Sequence, residues 1–397
     1  MNAIHALLVS SLLFFFSTLS AEEHIPKATS LQQECSIIAE AEPSTFVNGT
    51  VNVITGTMYH TAIDLVVPGP EPLHLRHYYN SDAFFNQWMG YGALATNFPT
   101  RIQGTIRKEE DKFTDIFVEE DGGSILRYIA IDEPDTDFYL DPKLIKNGLT
   151  NCGSGEISGR TNLKNNTLYQ ETSFHHGRIK SCKWTAILAD GTKRDYYRAY
   201  DYLDTMNLKS ERKPNGNRVF YDYHHDGSLK KISTTNHDEK ETLNWLEFDI
   251  DEEKKRAKVT SSNGKTAEYY FFKGKDGHDQ RAFYVEKIAS SDAPTVNFDY
   301  EKLEGRYIAN RIRWPNGRFL EIEYDHKGRV KTQKAPIGKE GHTHTLYEFE
   351  YKPSEYHTKV TDALGRQTTY WFTSEKRLKI IDHTMKGSFY RRNRFYW

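Results

Sequence analysis

Apolar and polar residues alternate with a period of two along most of this chain, the periodicity of strands whose two faces see different surroundings. In the run 318–324, Leu320, Ile322 and Tyr324 share one face while Glu321 and Glu323 share the other. The run 218–223 puts Val219, Tyr221 and Tyr223 on the corresponding face. Turn chemistry separates the runs. Asn215-Gly216 and Asn316-Gly317, each preceded by a proline, supply two residues that readily accept positive φ, so a tight hairpin is expected at both. Gly227 and Gly328 stand at a second, longer turn type in which glycine takes the left-handed position. The expectation is an all-β chain of tandem antiparallel hairpins.

The pattern is duplicated. Residues 214–271 align without a gap on 315–372, a shift of 101, and 17 of the 58 positions are identical. Unrelated segments of ordinary composition agree at only a few positions. The matches include both Pro-Asn-Gly turns, Tyr223 with Tyr324, Lys258-Val259-Thr260 with Lys359-Val360-Thr361, and Tyr269 with Tyr370. A fixed internal period marks a repeat architecture. At about 25 residues per hairpin, four hairpins fill the unit. Hairpins are expected at 217–235, 241–262, 265–291, 295–314, 318–335, 343–363 and 366–384, with 387–397 opening a further strand. By the 101-residue register Thr295 maps to position 396, so the partner strand of 387–397 is expected from another chain or from self-association.

Four regions follow: 1–21, a leader; 22–45, a polar linker; 46–190, an N-terminal β module; and 191–397, the hairpin repeats. The leader has no Lys, Arg, Asp or Glu, is apolar over 6–16, and ends in small residues at Ala21. It reads as a signal peptide, the apolar run being short of the roughly 20 residues that span a bilayer. The protein is expected to be exported: secreted, periplasmic or on the cell surface. Within 22–45, the segment 28–41 is the best candidate for a helix. In the β module, 59–67 and 73–81 alternate well, and Asp121-Gly122-Gly123 and Asp190-Gly191 mark hairpins. The Asn-, Gly- and Ser-rich stretch 147–166 reads as a long exposed loop.

Composition narrows the function. With 53 basic and 55 acidic residues mixed along the chain, the net charge of −2 leaves no electrostatic footprint for nucleic acid. The cluster Lys376, Arg377, Lys379, Arg391, Arg392 and Arg394 reads as a solvated face. The three cysteines allow Cys152 to pair with Cys182, leaving Cys35 free; three unpaired thiols fit equally well. Adjacent histidines on a strand point to opposite faces, so His175-His176 and His224-His225 do not chelate as neighbours. His342 and His344 share a face, but no further ligands stand at a recognisable spacing, and no metal or other cofactor is expected. Asp249 with Asp251, and Glu321 with Glu323, are candidate glycosidase dyads, but their sequence spacing says nothing about the separation that distinguishes glycosidase mechanisms, and same-face carboxylates on a strand are ordinarily a solvated face. No catalytic residue is assigned.

Two sets of residues resemble the RHS or YD-repeat family. Tyr324-Asp325-His326-Lys327-Gly328-Arg329-Val330 resembles its YDxxGR core, and Asp362-Ala363-Leu364-Gly365-Arg366 with Tyr370 is similar to its DxxGR variant. Pro214-Asn215-Gly216 through Gly227 is a weaker copy, with Ser228 in place of the arginine. The second set, Val51-Asn52-Val53-Ile54-Thr55-Gly56, Asp64-Leu65, Pro68-Gly69, Pro72-Leu73 and Arg76-His77-Tyr78-Tyr79-Asn80-Ser81, resembles the entry segment of bacterial RHS proteins. The resemblance implies a β-ribbon spiralling into a hollow shell. In bacterial RHS proteins and the B and C components of Tc toxins such a shell encloses a toxin, and in teneurins it serves at cell surfaces. The DPxG-type autoproteolytic end of the family has no counterpart here, since Asp141-Pro142-Lys143-Leu144 lacks the glycine and sits early. The expectation is therefore a non-enzymatic, partial wall segment, with a polypeptide cargo or a neighbouring shell chain as partner. A glycan-binding surface module is the alternative, resting on rows of strand tyrosines, and a carbohydrate-active enzyme ranks third.

Overall fold

The computed structural model describes residues 45–129, 156–158, 167–198 and 205–396, with short gaps inside the longer stretches. The leader, the segment 28–41, Cys35 and Cys152 lie outside the described residues, as does any pairing of Cys152 with Cys182. Almost every described element is a strand; Pro353–Glu355 forms a 3₁₀ turn. No helix among the described residues is long and apolar enough to cross a membrane.

One antiparallel ribbon dominates. Its strands pair in chain order through Thr167–His175, Arg178–Ile187, Lys193–Arg198, Thr205–Arg212, Arg218–Tyr223, Leu229–Thr235, Thr242–Asp251, Arg256–Ser261 and Thr266–Lys275. The order continues through Arg281–Ser290, Val296–Leu303, Arg306–Arg313, Phe319–Tyr324, Val330–Ile337, His342–Lys352, His357–Asp362, Gln367–Phe372, Leu378–Met385 and Ser388–Arg394. The ribbon is not closed into a barrel. All seven expected hairpins from 217 to 384 are present, as are those over Asp121-Gly122-Gly123 and Asp190-Gly191. Strand Thr205–Arg212 is a branch point: Arg212 pairs with Arg218, while Met206 pairs with Ile102 of Arg101–Arg107.

Three expectations change. The two turn types are one, because Asn215 and Asn316 stay out of the left-handed region and only Gly216 (φ 89°) and Gly317 (φ 77°) enter it. Proline ahead of each asparagine presets the first corner of a type I turn, and the glycine that follows absorbs the left-handed step. The turn at Asp325 is built alike, with the Gly328 N–H (φ 74°) donating to the Asp325 carbonyl at 3.0 Å. The 101-residue register also does not survive beyond Phe372. Tyr269 pairs with Ile288 but Tyr370 pairs with Ile381, so the second copy's hairpin is eight residues shorter and Thr295 has no counterpart at 396. Finally, the stretch expected as one loop at 147–166 contains strand Glu156–Ser158, paired with Thr167–Tyr169.

A regular device holds successive strands together. Lys209, Glu286, Asn310 and Lys331 are the extra residues of β-bulges. The carbonyl just before each accepts a tyrosine hydroxyl: Tyr223 to Leu208 at 2.6 Å, Tyr300 to Val285 at 2.7 Å, Tyr324 to Ala309 at 2.7 Å and Tyr351 to Val330 at 2.8 Å. A bulge disrupts the ladder locally, and a phenol tip supplies a donor there while the ring adds apolar area. Burial raises the phenol pKa of Tyr300, Tyr324 and Tyr351, so all remain donors.

Candidate functional site

A ribbon apolar on one face cannot be stable alone, because that face must be covered. Here the cover is the N-terminal sheet Tyr59–Val67, Leu73–Asn80 and Leu94–Thr96, whose Leu65, Val67, Leu73, Leu75 and Tyr79 merge into one core with Val219, Leu246, Val259, Tyr269, Phe298 and Ile312 of the ribbon. Burying each such side chain contributes on the order of 2 kcal/mol. The seam between the two is the candidate functional site.

Its contacts run along many ribbon strands. The Asn244 side-chain amide donates to the Glu71 carbonyl at 3.0 Å, the Ala309 N–H to the Tyr79 hydroxyl at 2.8 Å, the Gln333 amide to Thr50 Oγ1 at 2.6 Å, and the Thr358 hydroxyl to the Val53 carbonyl at 2.6 Å. The Val330 N–H donates to the Gly56 carbonyl at 2.8 Å, and the backbone of Gly56 (φ 79°) lies so close that a Cβ there would sit 2.5 Å from Arg329 Cβ. Segment 50–80 thus spans ribbon residues 244 to 358, tying together hairpins that are not neighbours in the ribbon.

At the centre lies a polar cluster. Ile63 pairs with Arg76 and Leu65 with Leu75, so Asp64 is the extra residue of a bulge and turns inward beside Leu65. Its carboxylate meets His77 Nδ1 at 2.8 and 3.0 Å and accepts the Tyr269 hydroxyl at 2.6 Å. Burial, and then the Asp64 charge, push the Tyr269 phenol far above its ordinary range. Asp292 of the ribbon accepts the Val66 N–H at 2.9 Å, and the Ser290 hydroxyl donates to the Asp64 carbonyl. The His60 ring packs 5.2 Å from His77, 5.7 Å from Phe298 and 6.2 Å from Trp314. Neither His60 Nε2 nor His77 Nε2 has a hydrogen-bond partner, although both are sealed from solvent. Burial first, and His77 second, hold the His60 pKa down at about 3.

The residues weighed from sequence lie elsewhere. Glu321 pairs with Arg311, and Glu323 with Lys334 and the Thr332 hydroxyl, so neither stands free as an acid or base. Asp251 is engaged by Lys254, while Asp249 is exposed. His224 and His225 lie exposed in a turn, and among the described residues no three His, Cys, Asp or Glu side chains could hold a metal ion. In the basic cluster, Arg392 forks onto Asp382 at 2.6 and 2.7 Å. Of the strand tyrosines, Tyr221, Tyr269 and Tyr284 are buried, Lys287 sits over Tyr270 and Lys231 over Trp245, both at 5.0 Å, and Tyr197 and Tyr390 are exposed. Asp64 and His77 belong to the entry-segment resemblance, yet no motif marks them or His60 as site residues. The available signal was a charged residue inside the apolar run Ile63-Asp64-Leu65-Val66-Val67.

Residues 48–126, which include the whole N-terminal sheet, match the family model described as a domain of unknown function, DUF6531. No curated protein matches the chain. Among solved structures, TcdB2-TccC3 is similar at 11% identity and a TM-score of 0.35, over 85% of this chain and 20% of that one. The Photorhabdus luminescens Tc holotoxin pore carrying TccC3-D651A is similar at 11% identity and a TM-score of 0.37, over 85% of this chain and 19% of that one. The TCP10 domain of Danio rerio CPAP reaches a TM-score of 0.14 at 11% identity, over 61% of this chain and 95% of that one. This chain thus spans about a fifth of the length of the first two.

Proposed function

We propose that this chain is an exported, non-enzymatic wall segment of an RHS-type shell, enclosing or presenting a polypeptide. The observation that carries the reading is the covered ribbon: a duplicated array of YD-type hairpins whose apolar face is held along its length by an entry-type sheet. Such an array grows by adding hairpins and needs no site for chemistry, which suits a wall. Support also comes from the turn lock of the YD motif. Asp325 accepts the N–H groups of Lys327 and Arg329 at 2.9 and 3.0 Å and pairs with the Arg329 guanidinium at 2.9 and 2.6 Å, and Asp362 with Arg366 is built alike. A catalytic carboxylate of ordinary type would not be committed so completely.

The test is reconstitution. The mature chain is purified alone and with the product of any neighbouring frame encoding further RHS-like core, then analysed by sedimentation and by protease protection of a variable polypeptide carried by that partner. A stable complex that shields the polypeptide is expected. No association, together with hydrolysis of a polysaccharide abolished by one carboxylate substitution, would overturn the reading.

A further inference from the structure

The seam holds a feature that stability alone does not require. His60 and His77 face each other across a hairpin of the N-terminal sheet, wedged against Phe298 and Trp314 of the ribbon, each with a sealed Nε2 lacking a partner. A neutral imidazole with one idle lone pair is tolerable in such a place. An imidazolium is not, because its second N–H would lie buried without an acceptor, beside another imidazole.

We propose that His60 is an acid-released latch, which keeps the N-terminal sheet docked on the ribbon while neutral and undocks it when protonated. On its own sheet, His77 is committed through Nδ1 to Asp64, and the Tyr79 hydroxyl is committed to the Ala309 N–H. From the ribbon, Tyr269 donates to Asp64, while Phe298 and Trp314 offer rings and no acceptor placed for His60. Asp292 is engaged by the Val66 N–H and by Lys265. Among the described residues, the two carboxylates of the cluster, Asp64 and Asp292, are both already engaged.

The sign follows from linkage. The docked state holds the His60 pKa at about 3, whereas an undocked, solvated imidazole titrates near its ordinary value of about 6.5. Above that value both states are neutral and docking is at full strength. Below it the open state takes up a proton that the docked state refuses, and the open-to-docked ratio rises about tenfold per pH unit, roughly 25-fold from pH 7 to pH 5. Carboxylates of ordinary pKa titrate below this window.

Hydrogen exchange on the full mature chain at pH 7 and pH 5, corrected for intrinsic rates, reads the opening of 59–80 separately from the ribbon hairpins 319–362. Wild type is expected to open 59–80 by roughly 25-fold more at pH 5 while 319–362 holds its protection. His60→Phe, which keeps the ring against Phe298 and Trp314 but takes no proton, is expected to change less than about twofold; His60→Gln serves if that variant fails to fold. An unchanged wild type, a variant as acid-labile as wild type, or loss of protection over 319–362 in step with 59–80 would each overturn the proposal.

Discussion

The two copies of the repeat share one backbone design yet grip the N-terminal sheet with different residues. The shared pattern builds the wall, with Phe248 and Phe349, Val259 and Val360, and Phe271 and Phe372 buried at matched positions. The grip uses positions where the copies differ. Asn244, which holds Glu71, stands where the second copy has Thr345; Gln333 and Thr358, which hold Thr50 and Val53, stand where the first has Ile232 and Ala257. Even an identical pair diverges, since Tyr269 is fully buried and donates to Asp64 whereas Tyr370 is only half-buried against the core. The repeated surface thus meets a non-repeating partner through polar residues that differ from one copy to the other.

The largest expected effect comes from forcing the partner off the second copy. Gly56→Ala would place a methyl group against Arg329 and Tyr351 at a left-handed φ, costing on the order of 3 kcal/mol in denaturant unfolding. Next, Tyr269→Phe should cost about 1–3 kcal/mol by leaving an Asp64 oxygen short of a donor in a buried site. Tyr370→Phe should cost well under half of that, and equal losses would erase the contrast between the copies. The turn locks give a third comparison. Asp325→Ala should destabilise its hairpin by about 1 kcal/mol, whereas the same change at His224, which lacks the Asp–Arg pair, should be near neutral.

That lock has a pH signature opposite in origin to the histidine latch. Burial alone would raise the Asp325 pKa, but the hydrogen bonds from Arg329 and the turn amides outweigh it and hold the carboxyl below its ordinary value. Its contribution is therefore present above about pH 4 and lost as pH falls through the depressed value. Local exchange of 324–330 below pH 4 checks it. The Pro-Asn-Gly turns give effects of a size similar to the turn lock. Gly317→Ala, with open space around the new Cβ, should cost about 1 kcal/mol through φ alone, and Gly216→Ala slightly more because His237 Cβ lies 3.1 Å away. In both, lost protection should stay within one or two hairpins, as nearest-neighbour coupling requires.

Strand positions, hairpin boundaries and the four-hairpin unit were legible from alternation and turn residues, because both act over a few adjacent residues and leave their period in the chain. The shorter hairpin after Phe372 was legible too, since the expected span 366–384 is eight residues shorter than 265–291; what failed was carrying the 101-residue register past it to place Thr295 at 396. The YD motif was visible as a resemblance, but the pairing of Asp325 with Arg329 came from the structure. So did the role of Asp64, which depends on a bulge that rotates one side chain inward. What only the tertiary structure decided is the seam: His60, His77 and Tyr269 are separated by up to 209 positions in sequence yet meet in one cluster. A contact of that kind has no period and no local signal, because it is chosen by the packing of one folded element on another.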